Sequence, residues 1–498
     1  MVRCWIPGLM RLMALLIMAT VLSSPALAQV DADGGADADG LLDADGGADA
    51  DGDADADGGD DQDGGVDPGG NLAGAGVVID ARGVVRVKRI NSNGRLDRQR
   101  RQQAVAALDP DLARGSELRK VSLNRLEAAI ADHLANGQQP TDDMRYLAGL
   151  TGIDYVFFYP ETQDIVIAGP AEGYMLDADA RPLGIVSGQS VLQLEDLIVA
   201  LRAYAPGQQP TGTIGVSIDP TKEGLTKMQQ FLSQFGKRAV PADTRRIVEG
   251  LKSSLGRQVI SVRGVAPTTH FANILIEADY RMKLIGIGLE TPPVKISSYV
   301  RRASPSKVSR NALQRWYFVP DYESVTVSDD GFAIELSAEG VKLVGADELV
   351  RADGTRVKSG KSDLASEMFV KSFTARYTDL ARKVPVYAQM KNLIDMLIAA
   401  AYIQEQDFYS QANWSMDVFA DEQKMPVEIY AEAKEVDTAV NAIWKGNVLM
   451  TPIGGGVNIN ARKAISAEYI QPDEEGTVAE QREKVSLDQL QDGQWWWD

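Results

Sequence analysis

The sequence predicts a mixed α+β fold: an α/β central layer flanked by β-hairpin-rich regions, with a disordered acidic N-terminal arm. Three observations predict it. Short β-branched runs broken by turn residues recur on both sides of the body, strands alternate with helical periodicity through its middle, and residues 31–67 hold 15 Asp with no Lys or Arg. Alternating strands and helices fit helices layered on a sheet. A stretch with so much charge and so little to bury cannot offset the entropy of ordering. The regions are 1–28 as a leader, 29–74 as the arm, 75–188 as hairpin-rich α+β, 189–300 as α/β, 301–470 as C-terminal α+β and 471–498 as a polar tail ending in Trp.

The leader has a basic start at Arg3 and Arg11, an apolar run from Leu12 to Leu22, and Ala26-Leu27-Ala28, which fits small-x-small cleavage before Gln29. That run is about half of the ~20 residues needed to span a bilayer. Cleavage, export to the periplasm or cell envelope, and no transmembrane segment afterwards are therefore expected. Cys4 is the only cysteine and leaves with the leader. The mature chain then has no thiol for a disulfide, thiolate catalysis or a cysteine metal site. In 498 residues, 44% hydrophobic and 24% charged, nothing suggests a collagen, a coiled-coil rod or a disulfide miniprotein. Of the net charge of −19, the leader carries +2 and residues 31–67 carry −15, so the remainder is mildly acidic at −6.

Within the arm, Asp53-Ala-Asp55-Ala-Asp57-Gly58 sets carboxylates at alternate positions before a glycine, the first half of a calcium loop. The twelfth position is Gly64, where a bidentate Glu is needed. Weak calcium binding at Asp53, Asp55 and Asp57 and a solvated spacer both remain open. The basic stretch from Arg82 to Arg101 reads as hydrated surface, and no nucleic-acid partner is expected for an exported protein.

Gly76 to Val87 reads as a hairpin around Asp80-Ala-Arg-Gly83, and Leu112 to Leu134 as one or two helices. Tyr155–Tyr159 and Asp164–Ala168 form a second hairpin. Leu192 to Tyr204 is helical, Thr213 to Ile218 is a strand, and Asp219-Pro220 opens the next helix. A helix through Ile247, Leu251 and Leu255 stops at Gly256, Gln258 to Val262 is a strand, and Thr268 or Thr269 caps a helix through Met282. Lys283 to Leu289 reads as a strand. So do Trp316–Val319, Ser324–Val327, Phe332–Leu336, Glu428–Tyr430 and the residues around Gly454-Gly-Gly456. Pro385 precedes the strongest helix, a buried core helix by its length and Asp395. Trp495, Trp496 and Trp497 fit a membrane interface, a partner surface or an exposed tail.

The blocks MRYLAGLTGIDYVFFYPETQDIVIAGPAEGY from Met144, SIDPTKEGLTKMQQFL from Ser217, THFANILIEADYRMKLIGIGLE from Thr269, SRNALQRWYFVPDY from Ser309 and WKGNVLMTPIGGGVNI from Trp444 resemble a family of exported planctomycete proteins, the domain of unknown function 1598. The resemblance spans roughly residues 75–465 and implies an exported location without a mechanism.

Chemistry is sparse. The only histidines are His133 and His270, with no metal-binding spacing between them. His270 shares a helical stripe with Asn273, Glu277 and Arg281, so His270 and Glu277 are the catalytic candidates, an imidazole beside a carboxylate. The competing reading makes Glu277–Arg281 an exposed pair and His270 a surface residue. Ser304-Pro-Ser-Lys307, Ser309-Arg-Asn311 and Lys358-Ser-Gly360 mimic penicillin-recognising elements, but Pro305 sits where the nucleophile's helix must continue. Gly360-Lys361-Ser362 ends like a phosphate loop whose first glycine is misplaced. The sequence favours a non-catalytic exported protein binding an envelope protein or polymer. An envelope-polymer hydrolase is the alternative, and a calcium-responsive adhesion role the third.

Overall fold

The computed structural model describes residues 76–88, 94–235, 240–303, 312–323, 325–336, 340–351, 356–358, 364–441, 443–445, 448–450, 454–484, 487, 490–491 and 493–498. The leader, the arm with Asp53, Asp55 and Asp57, and the Ser304–Lys307 and Ser309–Asn311 strings lie outside them.

Gly76–Ile79 (β1) and Val84–Lys88 (β2) form the expected first hairpin. Asp80 fixes its turn by accepting from the backbone N–H groups of Arg82 and Val84 at 2.9 and 3.1 Å. The expected helix over Leu112–Leu134 is replaced in part by a strand, Ser116–Ser122 (β3), followed by the helix Leu123–Ala135 (α1). Remote partners on both edges recruit β3 into a sheet, and Ser122 then caps α1. Tyr155–Tyr159 (β4) and Asp164–Ala171 (β5) pair as the second hairpin, and Leu194–Ala203 (α2) follows.

Ile214–Pro220 (β6) runs through Asp219-Pro220, which do not open a helix, because Pro220 lies opposite Gln258 in the sheet. The helices Lys222–Phe235 (α3) and Thr244–Leu255 (α4) come next, and Gly256 ends α4 as expected. After Arg257–Arg263 (β7), the helix His270–Gly286 (α5) continues through the segment expected as a strand from Lys283. Lys283 reaches back one turn to Asp279 at 2.8 Å while Leu284 and Ile285 pack into the core.

Ala312–Pro320 (β8), Val325–Val327 (β9), Ala333–Leu336 (β10), Val341–Val350 (β11) and Arg356–Lys358 (β12) lead to Pro385–Glu405 (α6). The final strands are Glu435–Asp437 (β13), Gly455–Ile459 (β14), Gln471–Pro472 (β15) and Trp496–Trp497 (β16). Glu428–Tyr430 is not a strand; Tyr430 instead ties its segment to the start of α5 by donating its N–H to the Thr268 carbonyl at 2.8 Å.

A nine-stranded mixed sheet has the order β1-β2-β13-β7-β6-β14-β8-β11-β12, and a seven-stranded sheet the order β15-β9-β10-β4-β5-β3-β16. Both draw strands from distant parts of the chain, so the fold is mixed α+β with helices layered on its sheets. The helix α6 is buried along nearly its whole length, and α2 and α5 both pack on it. Among the described residues no helix is long and apolar enough to cross a membrane.

The tryptophan tail folds back onto the body. Trp495 and Trp497 are buried, β16 pairs antiparallel with β3, and the Arg119 guanidinium lies 4.6 Å from the centre of the Trp496 ring. Burying two large rings and part of a third on an open sheet edge outweighs the cost of ordering a short tail.

One turn beneath this sheet is backbone-limited. Leu147, Ala148 and Gly149 all have positive φ, and a Cβ at Gly149 (φ 79°) would lie 2.2 Å from the Glu172 carbonyl oxygen. Gly149→Ala is expected to destabilise the protein by at least about 2 kcal/mol. Urea melts of the two proteins check this.

Candidate functional site

The shared support of α6 brings the first turns of α2 and α5 together at one wall of a cleft of about 890 Å³. Thr269 starts α5 by accepting from the Ala272 N–H at 3.2 Å, which places His270 at the first helical position. In the first turn of α2, where a helix favours negative charge, stand Glu195 and Asp196.

His270 donates from Nδ1 to the Asp196 carboxylate, at 2.8 Å to Oδ2 and 3.1 Å to Oδ1. That bond fixes the ring and leaves Nε2 as the nitrogen for chemistry, with the Gln193 amide 3.4 Å from it. Burial opposes the imidazolium, but the charge and hydrogen bond of Asp196 outweigh it and raise the His270 pKa above its ordinary value. The Tyr430 hydroxyl donates to Glu195 at 2.9 Å, and the Tyr430 ring centre lies 5.7 Å from that of His270. Burial, reinforced by the neighbouring Asp196 charge, pushes Glu195 up to about 7.

Glu277 stands two turns along α5 from His270 and lines the same cleft. It accepts from Arg181 at 3.2 Å and from Arg281 at 3.4 Å, and Arg281 in turn holds Glu290 at 2.8 Å. The pair expected at the surface is therefore buried, with Glu277 and Arg281 only 3% and 1% exposed. His270 is likewise held within the cleft wall and is not a surface residue, its side chain 15% exposed. The reason is tertiary: Arg181 and Glu290 arrive from outside the helix to satisfy both members, which helical spacing cannot reveal. Between the two candidates, Asn273 has a buried side-chain oxygen with no protein partner. Buried acceptors are rarely left unpaired, so this oxygen is a polar atom in the cleft wall that the protein itself does not satisfy.

The structure thus sets His270 and Glu277 along one cleft but gives each a different partner from the other. Sequence reasoning missed Glu195, Asp196 and Tyr430. The available signal was an acidic pair opening one helix and a lone histidine opening another, but nothing local joins positions 74 and 160 residues from His270. The other histidine, His133, lies on α1 and is not among the residues lining this cleft. Among the described residues, no three His, Cys, Asp or Glu side chains converge as a metal-ligand set.

Among curated proteins and solved structures, none matches this chain. A family match falls on 216–299, which contains β7, α5 and thus the helix carrying His270 and Glu277. Over that segment the chain matches the family described as protein of unknown function DUF1598, the family its sequence blocks resemble.

Proposed function

We propose that this chain is an exported acid–base hydrolase of the cell envelope, with Glu195 and His270 as its proton-transfer pair. The observation that carries the reading is the meeting, in one cleft, of a carboxyl group held near neutrality and a histidine oriented by a buried carboxylate. Titratable groups pushed away from their ordinary values and facing a cleft are the physical signature of acid–base chemistry. The N-terminal leader supports the location.

In this reading a water oxygen bonds the reacting carbon of an ester or glycosidic linkage while its proton passes to the Glu195 carboxylate. The bond to the leaving oxygen breaks, and protonated His270 delivers the Nε2 proton to that oxygen. Asp196 stabilises the imidazolium before transfer, and Tyr430 holds the Glu195 carboxylate in place. Solvent exchange then returns the Glu195 proton and reprotonates His270. Asn273 and Arg181 supply polar contacts to the substrate along the cleft.

The test uses nitrophenyl acetate, a panel of nitrophenyl glycosides and an envelope polysaccharide extract, with pH profiles of any turnover. Glu195→Gln and His270→Asn are each expected to lower kcat by about 10²–10⁴-fold, the span of general acid–base catalysis. The wild-type profile is expected to rise as Glu195 ionises near pH 7 and to fall as His270, held above the ordinary histidine value by Asp196, loses its proton. Turnover unchanged in both variants would refute the assignment. Retention of the extract without turnover, equal in all three proteins, would favour the non-catalytic binding role that the sequence suggests.

A further inference from the structure

Away from the cleft, the nine-stranded sheet presents an outward-facing groove of about 630 Å³ across β6, β7, β8 and β14. Strand alternation builds it. In β6, Ile214, Val216 and Ile218 are buried, while Ser217 and Asp219, with Thr213 just before the strand, line the groove. In β8, Trp316 and Phe318 are buried, while Arg315, Tyr317 and Val319 line it.

We propose that this groove binds an acidic polysaccharide, gripping sugar rings on its tyrosines and ring carboxylates on its cations. Arg263, Arg315 and Lys463 line it together with one carboxylate, Asp219, which accepts from Arg315 at 2.8 and 3.0 Å. The lining therefore carries +2 on a chain whose net charge is −19. Such a local reversal of sign concentrates an anionic partner at one place.

The cations are held in fixed positions. Arg263 donates to the Asn458 side-chain oxygen at 2.9 Å, and the Arg315 guanidinium lies 5.1 Å from the Tyr317 ring centre. Lys463 sits 5.0 Å from the ring centres of both Tyr322 and Tyr469. The Tyr317 ring covers Gly456 of the neighbouring strand, where a Cβ would lie 3.2 Å from it. A side chain at 456 would first meet the Val216 carbonyl oxygen, 2.4 Å from that Cβ. The groove thus sets tyrosine rings, each with a cation over one face, beside positive charge, the combination that fits a pyranose carrying a carboxylate. A nucleic acid, with a charge at every ~3.4 Å of each strand, matches a +2 groove on an acidic protein poorly.

The experiment measures binding of the full-length chain to a galacturonic acid trimer, a neutral galactose trimer and single-stranded DNA by titration calorimetry at two salt concentrations. The acidic trimer is expected to bind at least tenfold more tightly than the neutral one. Lys463→Glu combined with Arg263→Glu, both exposed positions, is expected to weaken that binding at least tenfold and to flatten its salt dependence, with an unchanged circular dichroism melt. Glu195→Gln is expected to leave it unaltered, which separates this groove from the cleft. Equal affinity for both trimers, no binding of the acidic one, indifference to the charge reversals, or tighter binding of DNA lost in the same variant would each overturn the proposal.

Discussion

Glu195→Gln is expected to stabilise the folded protein at pH 8 by about 2–3 kcal/mol and at pH 5 by less than about 1 kcal/mol. Burial raises this carboxyl from 4.5 to about 7 in the folded chain. The native state therefore holds a proton that the unfolded chain has already released. That contribution to stability is complete below pH 4.5 and disappears as pH rises through about 7. At pH 8 the wild-type fold carries a half-buried charge beside Asp196, whereas glutamine carries none and its carbonyl still accepts from Tyr430. Thermal melts at the two pH values check the sign. Equal shifts at both, or a loss at pH 8, would remove the claim that this carboxyl is held near neutrality. A substitution that strengthens the fold while abolishing turnover is the behaviour of a group retained for chemistry.

The largest loss is expected at Arg119. Its side chain is wholly buried and pairs with Asp498 at 2.8 and 3.0 Å, while it also donates to the carbonyls of Asp111, Arg114 and Ala148 at 3.1, 3.0 and 2.7 Å. Those bonds join the short helix Pro110–Ala113 and its cap Arg114, the left-handed turn at Leu147–Gly149 and the C-terminal Asp498 beside β16. Arg119→Ala takes from Asp498 its two shortest hydrogen bonds, leaving Arg114 at 3.5 Å, strips several carbonyls of this donor and removes the cation over Trp496. Breaking one partner of such a buried pair costs about 3–5 kcal/mol. Arg119→Lys recovers little of this, because one ammonium cannot span the forked set of acceptors. Denaturant unfolding measures both variants; a loss below about 1 kcal/mol for the alanine would show that the tail is not anchored through this residue.

Local patterns were legible where the bonding was local. The first two hairpins follow from β-branched runs around turn residues, and α4 ends at its glycine because a cap concerns only neighbouring residues. The strand β3 was hidden because Leu118 and Val121 suit either period, and its choice depends on β5 and β16, both distant in sequence. Likewise, Lys283-Leu-Ile resembles a strand until Asp279 and the surrounding core absorb it as the end of α5.

By itself the sequence determined the mixed α+β class, the hairpins, the buried helix α6 and the helix that carries His270 and Glu277, since periodicity and turn chemistry act within about a dozen residues. Only the tertiary structure decided what those side chains meet. It joined Asp196 to His270, set Glu195 under Tyr430, buried the Glu277–Arg281 pair and seated the tryptophans. The physical reason is that burial and charge pairing, which shift proton affinities and make a cleft reactive, depend on distance in space.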